Sequence, residues 1–122
     1  MADKLNYYTL AVFSPLLIVT GILGFIVPAN LAITSGATVY NIFHIIFGII
    51  GLLCFFSKYI SVIRLFNGVF GVIDIYQLLA AILGIFPLQY FLWKSADNIL
   101  HALIGTWLIF IALYKKQGVL NN

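Results

Sequence analysis

Two histidines stand six residues into two long apolar runs, His44 after Thr38 and His101 after Ser95. Both copies read [Thr/Ser]-x-x-Asn-Ile-x-His-x-x-x-Gly. The first is Thr38, Asn41, Ile42, His44 and Gly48; the second, 57 positions on, is Ser95, Asn98, Ile99, His101 and Gly105. A third ionisable group, Asp74, lies inside another apolar run with Gln77 one turn on. Two facing imidazoles can ligate haem iron or another tetrapyrrole metal, and His44, His101 and Asp74 together suit a divalent transition metal. The same groups can be titrating stations on a proton or small-solute pathway. They can also form a polar network that fixes helix register, at ~0.6–2 kcal/mol per contact. A fourth use is to bind a partner subunit or a lipid. All four chemistries are open to this residue set. No Ser/His/Asp elbow, phosphate loop or redox cysteine pair accompanies it, and the sequence predicts no enzyme.

The elements that position these residues follow from composition. The chain has 122 residues, 64% of them hydrophobic and 7% charged. Soluble domains carry roughly 25% charged residues, so a membrane protein is expected. Four apolar runs, at about 7–27, 39–56, 62–86 and 96–114, each approach the ~20 residues that cross a hydrocarbon core. In lipid such segments must be helical to satisfy their own backbone. The expected fold is therefore an all-α, integral membrane four-helix bundle in one domain. The first run is too long for a signal-peptide core of ~7–15 residues and is read as a helix. Cys54 is the one cysteine, which excludes an internal disulfide and reads as a small packed hydrophobe.

Charge placement predicts topology. With the N-terminus in the cytoplasm, Lys4, Lys58, Arg64, Lys115 and Lys116 are cytoplasmic and Lys94 is outside, as the positive-inside rule requires. Both termini are then cytoplasmic. The net charge of +3 is accounted for by topology and points to no nucleic acid. Tyr7, Tyr8, Tyr59 and Tyr114 mark the inner interface, and Tyr40, Tyr90 and Trp93 the outer one.

The recurrence extends upstream. Ile22-Leu23-Gly24 leads to Pro28 as Ile82-Leu83-Gly84 leads to Pro87, at an offset near 60. Residues 1–58 and 59–122 thus read as two repeated helical hairpins about an axis along the membrane normal. On the upstream offset, the position matching Asp74 falls near Ser14-Pro15.

Thr38 and Ser95 are expected at N-caps, with Asn41 and Asn98 three positions on in a capping-box layout. Asp97 lies in the first turn, favoured by the helix dipole, and can pair with His101 four residues on. Each histidine lies ~9 Å below its cap at 1.5 Å per residue. Asp74 is ~18 Å from the cytoplasmic end of its helix and the histidines ~20 Å from theirs, so all three share one depth. Asn67, Gly71, Asp74, Gln77 and Ala81 share a stripe. Glycines spaced by three, Gly21/Gly24, Gly48/Gly51 and Gly68/Gly71, favour close helix packing or contact with a second copy.

Asn41/His44 with Gly48, and Asp97/Asn98/His101 with Gly105, resemble the Asn-x-x-His and Asp-Asn-x-x-His motifs of a family of small bacterial four-helix membrane proteins of unknown function. The resemblance covers nearly the whole chain. It implies a four-helix fold and a bacterial inner-membrane location, and brings no activity. The expected partners are membrane lipid and either a larger membrane complex or further copies of the chain.

Overall fold

The apolar runs form helices because nothing inside them breaks the backbone ladder for long, and turn residues bound them. A computed structural model describes residues 2–114. Its elements are α1 (Ala2–Ile26), α2 (Thr38–Ser57), α3 (Ile60–Leu83), a one-turn α4 (Leu88–Phe91) and α5 (Ser95–Leu113). Among the described residues there is no strand. Helices α1, α2, α3 and α5 are long and apolar enough to cross a membrane. Lys58 ends α2 and Gly84 ends α3, each in the left-handed conformation, where glycine carries no Cβ penalty.

Three boundaries differ from the expectation. α1 begins at Ala2 rather than near residue 7, because Asn6, read as part of a polar tail, is fully buried. Its Nδ2 donates to the Ile111 carbonyl of α5 (2.8 Å). α3 stops at Leu83, three residues short, at the Gly84 cap. The segment 87–94, read as a loop, contains α4. Pro15 sits within α1 without ending it.

α1 packs chiefly on α2, and α3 chiefly on α5. Glycines set both approaches. A methyl group built on Gly48 would lie 2.9 Å from the Ser14 carbonyl oxygen and 2.9 Å from the Ile18 nitrogen of α1. One built on Gly105 would lie 3.1 Å from the Gly71 carbonyl oxygen and 3.0 Å from Ile75 Cδ1 of α3. Backbone touches backbone in both pairs, as small residues allow between apolar helices.

The lower core is aliphatic and aromatic: Leu10, Phe13 and Leu17 of α1 meet Ile63, Phe66 and Phe70 of α3 and Leu108 and Ile111 of α5. Above it a smaller cluster joins Tyr40, Ala80, Phe91 and Trp93. Tyr40 and Trp93, read as interface markers, are therefore buried; α4 brings Phe91 onto Trp93 (5.1 Å between ring centres) and covers them. Large apolar side chains point outward all round the bundle, among them Leu16, Leu53, Leu65, Val72 and Leu103. So continuous an apolar coat is rare on monomeric soluble proteins. At the other end Arg64 donates to the Ala112 carbonyl (2.9 Å) and lies 3.9 Å from the Asp3 carboxylate. Lys115 and Lys116, which enter the topology reading, lie outside the described residues.

Candidate functional site

Each long helix contributes to one interior cavity of about 230 Å³. Phe13, Leu16, Leu17 and Thr20 come from α1, Tyr40 and His44 from α2, Phe70 and Asp74 from α3, and Asp97, Leu100, His101 and Ile104 from α5. The expected convergence of His44, His101 and Asp74 is met: all three are buried and line the same space. Leu16 and Leu100 are also exposed on the outer surface, so the cavity reaches the apolar exterior between α1 and α5.

The polar groups divide into those that are held and those that are not. Asp97 is held. Its Oδ2 accepts from the Ser35 N–H (2.9 Å) and the Lys94 N–H (2.8 Å), and its Oδ1 accepts from the Tyr40 hydroxyl (2.7 Å). Ser35 Oγ donates to the Phe91 carbonyl, and Lys94 Nζ donates to the Ala32 carbonyl (2.8 Å). One carboxylate thereby ties the 27–37 loop, α2 and the start of α5 together. Each charge-assisted bond is worth ~1.5–3 kcal/mol net.

This replaces two expectations. Thr38 and Ser95 are the first helical residues rather than caps; Ala37 and Lys94 hold the cap positions, and neither Thr38 nor Ser95 caps a helix with its side chain. Asp97 serves the Lys94 N–H, so the residue that closes the turn at α5 is Asp97 and not Asn98. Asn41 reaches back from α2 to the Gly36 carbonyl (2.9 Å) and lies against Gly24, where no side chain has room. The expected pair between Asp97 and His101 is not formed among the described residues, because Asp97 is occupied by three other donors.

His44 is half held. Its Nδ1 faces the Tyr40 carbonyl at 2.7 Å. A carbonyl only accepts, so Nδ1 carries the hydrogen, and in the neutral ring Nε2 is an acceptor. The ring lies tilted against that of Tyr40, with 4.1 Å between ring centres. His101 stands edge-on to Trp93 (6.0 Å), and its buried Nδ1 has no hydrogen-bond partner among the described residues. Asp74 makes no hydrogen bond to any described residue, although only 3% of it is exposed. Gln77 Oε1 and Asn98 Oδ1 are buried without partners among the described residues as well, and neither residue lines the cavity. Asn67, on the stripe with Asp74, instead donates to Asn6 Oδ1 (3.0 Å) near the other end.

Two of the chemistries open to the sequence do not fit this geometry. Among the described residues no three His, Cys, Asp or Glu side chains converge as a metal-holding group, so sharing a depth does not make His44, His101 and Asp74 a metal triad. A tetrapyrrole is larger than a 230 Å³ cavity, which falls below the ~300–1,000 Å³ of pockets for drug-sized ligands. A wider groove of about 750 Å³ runs between α3 and α5 on the outside, lined by Gly68, Val69, Val72 and Ala112, with Arg64 at one end. It holds none of the unpartnered polar groups and is the ordinary relief of two packed apolar helices.

Ser35 and Thr20 carried no signal in the sequence, and Tyr40, which holds in the first motif the place that Asp97 holds in the second, was placed at the outer interface rather than in the site. Comparisons with known proteins found no matching family model, no matching curated protein and no matching solved structure.

Proposed function

We propose that this chain is a multi-pass integral membrane protein, with both termini in the cytoplasm, that serves as a non-enzymatic binding or accessory subunit. Its site is the cavity at the level of His44, His101 and Asp74. The observation that carries the reading is that Asp74, which is 3% exposed and lines the cavity, makes no hydrogen bond to any described residue. Polar groups retained only to fix helix register are normally satisfied. A buried carboxyl left unpaired is costly in an apolar medium, and intramembrane ionisable groups of this kind mark ligand or ion sites. The proposed setting is a bacterial inner membrane, next to a larger membrane complex or further copies of the chain. That setting is in keeping with the resemblance carried by Asn41 and His44 in α2 and by Asp97, Asn98 and His101 in α5.

The helix ends support the topology. Lys4, Lys58 and Arg64 stand at one end of the bundle and Lys94 at the other, the asymmetry that the positive-inside rule uses. The glycine contacts support a duplication. Gly48 meets Ser14 and Ile18 as Gly105 meets Gly71 and Ile75, so the offset of 57 that relates the histidines also relates the helices they pack on. On that register the counterpart of Asp74 is Leu17, not Ser14-Pro15, and both line the cavity.

Cysteine modification in bilayers tests the reading. In a Cys54→Ala background, Leu17→Cys is expected to react with a small membrane-permeant thiol reagent. Ile63→Cys, in the fully buried lower core, is expected to stay unreacted. Equal inertness of the two positions would remove the cavity as a site.

A further inference from the structure

The chemistry of the cavity wall selects a class of ligand. Asp74 is 3% exposed and makes no hydrogen bond to any described residue, and His101, 6% exposed, lines the space beside it. His44 presents Nε2, which accepts in the neutral ring because Nδ1–H is committed to the Tyr40 carbonyl. The Tyr40 hydroxyl spends its hydrogen on Asp97 and offers only lone pairs. Among the described residues no lysine or arginine lines the space. Acceptors face the space from Asp74, His44 and Tyr40, and the carboxyl group of Asp74 has no counter-charge among the described residues. Phe13 and Phe70 also line the space, with their rings 5.5 Å apart and edge to face.

We propose that this cavity binds a lipid-soluble organic amine in its protonated form, which reaches Asp74 sideways from the bilayer between α1 and α5. The ammonium group donates N–H to Asp74, and the apolar body of the ligand extends past Leu16 and Leu100. An anionic head is disfavoured beside the Asp74 carboxyl group, and a neutral head makes no ion pair with it. The volume of about 230 Å³ exceeds the ~30 Å³ share of one water several times over, enough for a small head group. This inference rests on the binding reading above and goes further by naming the ligand class.

The test uses the full chain in nanodiscs of neutral lipid, with empty nanodiscs as the partition control. Saturable binding is measured for 4-phenylbutylamine and for 4-phenylbutanol, which has the same body and no charge. Protection of Leu17→Cys (Cys54→Ala background) from thiol modification is read in parallel. The amine is expected to bind at least about tenfold more tightly than the alcohol, ~1.4 kcal/mol, and to protect Leu17→Cys. Asp74→Asn, with its fold checked by its unfolding midpoint, is expected to abolish that preference. Equal binding of amine and alcohol, or an undiminished preference in Asp74→Asn, overturns the amine class. A Leu17→Cys that reacts but is never protected by the amine overturns it too, while leaving the cavity itself intact. A Leu17→Cys that never reacts overturns the cavity reading instead.

Discussion

Asp97→Ala is expected to destabilise the folded protein by about 3–5 kcal/mol, read as the unfolding free energy in mild detergent. Three donors lose their acceptor at once: the Ser35 N–H, the Lys94 N–H and the Tyr40 hydroxyl. A bond to a charged group contributes ~1.5–3 kcal/mol, and the loss falls short of three such bonds because the Ser35 and Lys94 N–H groups are only part-buried and water can take up their hydrogens. Tyr40 is 2% exposed, so water cannot take the place of the carboxylate there. Tyr40→Phe removes one of the three bonds and is expected to cost about 1–2 kcal/mol. A loss below about 1 kcal/mol in Asp97→Ala would mean that the loop and α5 are held by apolar contact alone.

Gly48→Ala and Gly105→Ala are each expected to cost about 1–3 kcal/mol by overpacking. Alanine ordinarily stabilises a helix relative to glycine by ~0.8–1 kcal/mol. Here the added methyl meets backbone atoms at 2.9 to 3.1 Å, the Ser14 carbonyl in one pair and the Gly71 carbonyl in the other. Backbone in a helix cannot rotate aside, so the helices must separate. The two glycines sit in different helix pairs with no shared contact, so the double variant is expected to show the sum within ~0.5 kcal/mol. A neutral or stabilising effect of either substitution would show that the pair separates freely.

The four long helices were legible because each apolar run nears spanning length and ends at a turn residue. The common level of His44, His101 and Asp74 was legible too, since rise per residue converts position into depth. Their partners were not. Periodicity places a side chain on a face without saying what it meets, and the donors to Asp97 include Ser35 and Tyr40, far away in sequence. Tyr40 and Trp93 suited an interface by type, but the one-turn α4, too short to leave a periodic signal, buries them. Asn6 was misjudged for a similar reason: its partners, Ile111 and Asn67, lie on other helices. The proposed duplication places the counterpart of Asp74 at Leu17 for a further reason. The Gly-to-Pro match at an offset near 60 reflects similar helix ends, whereas the glycine contacts follow the offset of 57.

The decisive quantity is the unfolding free energy of Asp74→Leu. If Asp74 is an unpaired binding group, an apolar side chain of similar reach removes a buried carboxyl and fills part of the cavity. Stability then rises by about 1–3 kcal/mol, the desolvation cost of an unsatisfied buried group, while amine binding is lost. A fall in stability as large as that of Asp97→Ala would instead make Asp74 a structural strut and contradict the site.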